Sequence, residues 1–234
     1  MLAGHRILAV VPARGGSKGI KLKNLRHVGG KSLVAHAASV ATSVSEIDRS
    51  VVSTDHDGIA AEAEAHGLAA PFRRPPELSG DRIGDWDVLH HALVTCEAID
   101  GVAYDILVML QPTSPLRTRE NVRDTIAKLV ENGHDAVWTV TETDLKYHPL
   151  KQLVIQDGRM DLFDPRGAQI IARQQLSPVY HRNGVAYAIT RQCLIDQKSI
   201  MGANTGAVVI EGLNISIDTL EDIASVEAHL AGQE

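Results

Sequence analysis

Short apolar runs alternate along the chain with stretches whose apolar residues recur at helical spacing. Ile7-Leu8-Ala9-Val10-Val11, closed by Pro12, is apolar at every position, the pattern of a strand buried on both faces. Ser32 to Ser43 places Leu33, Val34, Ala37, Val40 and Ala41 at helical spacing and predicts a helix. Arg49 to Asp55 predicts a second strand that ends in polar residues. Ile59 to His66 predicts a helix stopped by Gly67, and Trp86 to Ala98 another helix. Tyr104 to Leu110 predicts a third strand, Glu120 to Glu131 a helix with Gly133 behind it, and Ala136 to Thr141 a fourth strand. Gly184 to Ile189 and Ala207 to Ile210 predict further strands, and Leu220 to Leu230 a closing helix.

Strand, loop and helix repeated in this way predict a three-layer α/β fold with a mostly parallel sheet. Ligands of such sheets sit beyond the carboxyl ends of the strands. Arg14–Lys18, Thr54–Asp55 and Gln111–Ser114 are therefore expected to converge on one crevice. From about Asp144 to Gln175 the rhythm changes. Leu153-Val154-Ile155, then Asp157-Gly158, then Met160-Asp161-Leu162-Phe163 reads as a hairpin with an Asp-Gly turn. An excursion from the main sheet is expected there, with an oligomer contact as its use.

Composition narrows the class without naming a function. The chain has 234 residues, and 44% hydrophobic content suffices for a full core. Its formal net charge of −6 argues against a nucleic-acid partner, which calls for a basic surplus, but leaves room for a local basic pocket. Cys96 and Cys193 form no paired motif, which fits a reducing compartment. No run of roughly 18 apolar residues exists to cross a membrane. The apolar run near the N-terminus, Ile7 to Pro12, is too short for a signal peptide, so a cytoplasmic location is expected.

The densest chemistry follows the first strand. Arg14-Gly15-Gly16-Ser17-Lys18-Gly19 combines three glycines with two cations. Glycines let backbone N–H groups approach phosphate oxygens, and Arg and Lys add fixed charge. The Walker loop is excluded, because no Gly precedes Lys18. The dinucleotide fingerprint is excluded, because Ser17 holds its second Gly position. A phosphate cradle of a different kind is expected, and an ordinary solvated turn is the alternative.

Val11-Pro12-Ala13-Arg14-Gly15-Gly16-Ser17-Lys18-Gly19-Ile20-Lys21-Leu22-Lys23-Asn24 resembles the nucleotide-binding signature of the acylneuraminate cytidylyltransferase family, the CMP-sialic acid synthetases and their relatives. The resemblance continues in order through Arg74-Pro75-Pro76-Glu77-Leu78, Leu110 to Arg117, His148 to Lys151, Arg173-Gln174-Gln175, Asn183 to Tyr187 and Ile217 to Asp222. It implies a Rossmann-like fold of nucleotidyltransferase type, in one domain over 1–234 with 144–190 as an inserted dimerisation and acceptor-side subregion. It implies transfer of CMP from CTP to an acidic acceptor with release of pyrophosphate, Mg²⁺ as cofactor and a homodimer. Arg14 and Lys18 would hold the triphosphate, with Lys23 near the α-phosphate. Ala13, Gly15, Gly16, Ser17, Asn24, Arg74 and Asp85 would line the nucleotide. Gln111, Asn183 and Tyr187 would face the acceptor, Lys151 and Arg173 would meet its carboxylate, and Asp218 would ligate the metal. The bare residues leave alternatives: Asp218 or Thr219 as a helix cap, Tyr187 as core, Lys151 and Arg173 as surface charge.

The departures from that family fall on the acceptor side. Its Asp-x-Asp near the C-terminus reads Ser216-Ile217-Asp218 here, its paired aromatics read Ser199-Ile200-Met201, and an arginine two places before Asn183 is His181. A sugar hydroxyl must lose a proton to attack, whereas a phosphonate is already an oxyanion. A small anionic acceptor such as phosphonoformate is therefore expected, with His181 joining Lys151 and Arg173 around it. Activation of an N-acylneuraminate or another ulosonic acid is the alternative. Two further classes stand beside these: a sugar-1-phosphate nucleotidyltransferase, and a CTP-binding regulator whose catalysis has decayed.

Overall fold

The apolar run at the start of the chain forms strand β1 (Ile7–Pro12), whose first five side chains are buried, as a strand covered on both faces requires. The structure, a computed structural model, describes Leu2 and residues 4–232. After β1 come a two-residue hairpin, β2 (His27–Val28) and β3 (Lys31–Ser32), then α1 (Leu33–Ser43), β4 (Arg49–Ser53), α2 (Asp57–Ala65), α3 (Asp85–Asp100) and β5 (Ile106–Met109). There follow α4 (Arg119–Asn132), β6 (Ala136–Glu142), β7 (Leu153–Gln156), β8 (Arg159–Leu162), β9 (Tyr180–Thr190), α5 (Arg191–Ile195), β10 (Thr205–Val209) and α6 (Leu220–Ala231).

Six strands make the main sheet in the order β10-β6-β9-β5-β1-β4. All run parallel except β9, which pairs antiparallel with both β5 and β6. Alternation along β1 divides the core. Ile7, Ala9 and Val11 face one cluster with α1, α2 and α4, while Leu8 and Val10 face another with α3 and α5. This is the expected three-layer α/β architecture. A third cluster seats α6 on the β2–β3 hairpin through Val28, Leu33, Ile217 and Val226. The two cysteines are core residues with no exposure, and burial pushes both thiols up to about 11.

Local signals set the helix ends. Ser32 caps α1 by accepting the Ala35 N–H at 3.2 Å, and Thr118 and Asn121 form a capping box on α4. Gly133 closes α4 in the left-handed conformation, at φ 62°.

The excursion differs in extent from its expected 144–190 span. The chain leaves the sheet after Glu142 and rejoins it at Tyr180, so residues 180–190 are β9, a central strand of the main sheet. The short run read from Gly184 concealed this strand because its first four residues, Tyr180 to Asn183, are polar or exposed rather than alternating. The β7–β8 hairpin forms as expected, turning at Asp157 and Gly158 with φ 51° and 74°, a turn with both central residues left-handed.

Candidate functional site

The carboxyl ends of β1 and β5 open onto a cleft of about 290 Å³ lined by Pro12, Arg14, Asn24, Arg74, Asp81, Asp85 and Gln111 to Thr113, among others. The end of β4 supports it from beneath: Asp55 accepts the Gly15 N–H at 2.8 Å, and the Thr54 carbonyl accepts the Arg74 N–H at 2.8 Å. The three expected strand-end segments therefore do converge. The glycines of the loop differ in what they require. A Cβ on Gly15 would lie 3.0 Å from the His56 ring, and one on Gly19 would lie 2.8 Å from the Asp218 carbonyl oxygen. A Cβ on Gly16 would meet nothing within 4 Å, so its backbone lies open.

The loop cations are held by a residue the sequence did not single out. Asp81 pairs with Arg14 at 2.9 Å and with Lys18 at 2.6 Å. The hydrogen bond from Lys18 holds the Asp81 carboxyl below the usual carboxylate range. Asn24 is buried and donates to the Arg14 carbonyl at 2.9 Å, fixing the loop's first residue. Ala13 lies in the core with no exposure, so its side chain cannot line a ligand as expected. Arg74 is 5% exposed, and its Nε and Nη2 have no hydrogen-bond partner; burial pushes its guanidinium down. A buried, charged fork left unmatched in a cleft wall is costly unless a ligand completes it.

Lys23 is drawn to the chain's far end, donating to the Ile217 carbonyl and to Asp218 Oδ1, both at 2.8 Å. The cap on α6 belongs to Thr219, in a capping box with Asp222, which leaves the Asp218 carboxylate for another partner. The Asp218 side chain is 73% exposed. Among the described residues no three His, Cys, Asp or Glu side chains form a metal cage. One exposed carboxylate nevertheless fits Mg²⁺, which commonly takes one or two carboxylates together with substrate phosphates.

Behind Gln111 a bulge in β9 shapes the cleft wall. Pairing of β6 with β9 jumps from Trp138↔Tyr187 to Val140↔Arg182. Asn183, inside the bulge, accepts from Thr139 at 2.7 Å and the Val185 N–H at 3.1 Å, and donates to Thr141 at 3.0 Å. Its amide is thus committed to the bulge. Tyr187 is 1% exposed and its hydroxyl accepts the Gly184 N–H at 2.8 Å. Tyr187 is core, the alternative its residue type allowed, because a large ring on a central strand is covered by the helices. Gly184 has φ 74°, and a Cβ there would lie 2.4 Å from Gln111 Oε1, so only glycine brings the bulge against Gln111. Buried Arg117, unnoticed in the sequence as more than a loop residue, donates to the carbonyls of Gln111, Gly184 and Val185. Burial pushes its guanidinium down to about 9.

His181 points its Nδ1 at the Thr143 hydroxyl, 2.8 Å away, and does not join the cleft. Its neighbour Arg182 does approach it, pairing with Asp85 at 3.0 Å. Strand alternation is the signal that separates the two. Lys151 and Arg173 are brought together, but in a second hollow of about 240 Å³ on the excursion with Leu150, Leu162 and Leu176. They do not line the first cleft. His90 and His91 pack on Trp86 and Phe72, as packing residues rather than ligands.

Residues 8–228 match the cytidylyltransferase family. A CMP-N,N'-diacetyllegionaminic acid synthase of Legionella pneumophila is 33% identical over 91% of the chain and 90% of its own length. A pseudaminic acid cytidylyltransferase of Campylobacter jejuni is 26% identical over 92% of each. In fold, the chain resembles a CMP:2-keto-3-deoxy-manno-octonic acid synthetase solved with CTP, at a TM-score of 0.70 and 19% identity, covering 98% of this chain and 100% of that one.

Proposed function

The chain belongs to the cytidylyltransferase family, and we propose that it transfers CMP from CTP to an acidic sugar, a sugar acid of the kind named in its relatives. The observation that carries this reading is Arg74, a buried guanidinium with two unmatched nitrogens in a cleft shared with Arg14 and Asn24. Such a wall suits a nucleotide, whose base carbonyl, ribose and phosphates supply the missing acceptors.

In this reading Arg14 and Lys18 exchange Asp81 for the β- and γ-phosphates. Lys23 faces the α-phosphate, and the backbone at Gly16 and Ser17 approaches the same oxygens. Asp218 would hold Mg²⁺ together with the phosphates, and the bound ion would supply positive charge beside the leaving pyrophosphate. An acceptor hydroxyl oxygen attacks the α-phosphorus, the bond to the bridging oxygen of pyrophosphate breaks, and the hydroxyl proton passes to solvent or to a base. Gln111, fixed against the bulge, borders the acceptor. The exposed apolar side chains of the excursion, Leu153, Ile155, Met160, Phe163 and Ile171, support a homodimer. Such a dimer would bring Lys151 and Arg173 to the partner's acceptor.

A phosphonate acceptor is the second reading, and Ser216 in place of a carboxylate is the observation that favours it. Following pyrophosphate release with CTP, Mg²⁺ and a panel of acceptors separates the two. Turnover is expected with N,N'-diacetyllegionaminic acid or N-acetylneuraminate. Turnover with phosphonoformate alone would replace the first reading by the second, and CTP binding without turnover on any acceptor would leave a regulator.

A further inference from the structure

Among the described residues, Arg182 is the arginine set over two aromatic rings. It leaves β9 with its guanidinium carbon 5.6 Å above the Trp138 ring and 5.9 Å from the Tyr187 ring, within cation–π range of both. Its Nη2 donates to Asp85 Oδ2 at 3.0 Å. Asp85 is the first residue of α3, and it lines the cleft. The Arg182 side chain remains half exposed, so most of its five N–H donors stay open to a ligand. Tyr187 links this position to Gln111, because its hydroxyl holds Gly184, the residue packed against Gln111.

The guanidinium is therefore oriented by two rings, anchored at one nitrogen, and placed beside the cleft on the Gln111 side. Those are the features of a pre-set carboxylate reader: a planar fork whose rotamers are restricted before the ligand arrives. We propose that Arg182 is the residue of this chain that recognises the acceptor's carboxylate, and that Asp85 and Trp138 position it. The inference rests on the acidic-sugar reading above. It gives Arg182 the carboxylate expected of Lys151 and Arg173, and the place beside the acceptor expected of His181, whose ring is turned to Thr143.

The test is steady-state kinetics with N,N'-diacetyllegionaminic acid and with the amide made from its carboxylate, alongside CTP affinity by calorimetry. For wild type the acid is expected to be preferred by about 10²-fold or more, because loss of a charge-assisted fork costs this much. Arg182→Gln is expected to raise KM for the acid about 30- to 100-fold, to abolish the preference over the amide, and to leave CTP affinity within about two-fold. Arg182→Lys is expected to restore part of the preference, which a merely structural contact between β9 and α3 would not produce. An Arg182→Gln enzyme that binds CTP normally and still prefers the acid overturns the inference alone. So does a loss of preference in His181→Ala rather than Arg182→Gln. If wild type turns over no acidic sugar at all, both the inference and the reading beneath it fall.

Discussion

The Lys23 ammonium lies 2.8 Å from the Asp218 carboxylate, joining the end of the glycine-rich loop to the start of the last helix. The two residues are 195 positions apart in sequence. In the proposed reading, the pair brings together the cation that faces the α-phosphate and the carboxylate that would hold the metal. Asp218→Asn is expected to lower turnover by about 10²–10³-fold, the scale of a lost electrostatic contact to the reacting group. Because Asp218 is 73% exposed, the melting temperature should move by no more than about 2 °C. Pyrophosphate release and a thermal melt on the same preparation check both. An unchanged rate removes Asp218 from the chemistry.

Asp81 occupies the two cations that the proposed reading gives to the triphosphate. Removing its charge leaves Arg14 and Lys18 unpaired in the free protein, so a nucleotide no longer has a carboxylate to displace. Asp81→Asn is expected to tighten CTP binding about three- to ten-fold at low salt, with the gain shrinking as salt is raised. Calorimetry at two ionic strengths measures this. Weaker binding would mean that Asp81 takes part in holding the bound nucleotide.

The sheet was legible in the sequence because buried strands carry apolar runs, continuous in β1 and β5 and shorter in β4, at Val51-Val52, and β6, at Ala136-Val137-Trp138. The basic wall of the cleft was legible for a related reason. Glycines and cations directly after such a strand have few uses, and Arg14, Asn24 and Arg74 all reached the cleft. The burial of the residues expected beside an acceptor was not. Tyr187 and Asn183 have polar groups suited to a ligand, yet Tyr187 is covered on a regularly paired central strand and Asn183 is committed to a bulge of four residues, and no local pattern announces a bulge of that size. Asp81 stands in an irregular segment without periodicity. Only Arg182 could have been found, by counting alternate positions along β9 from His181.

Arg117 and Gly184 hold that bulge in place. Replacing Arg117 by Met removes a buried side-chain donor from the carbonyls of Gln111, Gly184 and Val185 at once. A loss of about 3 kcal/mol or more in unfolding free energy is expected, measured by urea denaturation. Gly184→Ala should be destabilising as well, because its φ is 74° and its Cβ would press on Gln111. Wild-type stability in both variants would contradict the assigned geometry.

The excursion exposes Ile155 at 74%, Met160 at 67% and Phe163 at 63%. In the proposed dimer these side chains are covered by the second copy. Ile155→Asp together with Met160→Asp is expected to shift the sedimenting species from two chains to one. A wild-type protein that sediments as a single chain at tens of micromolar would dismiss the dimer.

Titration of the protein with CTP in the presence of Mg²⁺, followed by calorimetry, bears most directly on the central claim that the glycine-rich basic loop and Arg74 seat this nucleotide. One CTP per chain is expected to bind, with UTP and ATP weaker, and with affinity reduced about 10²-fold or more when Arg14 and Lys18 are both replaced by Ala. Absence of heat on adding CTP, or equal affinity in the double variant, would contradict it.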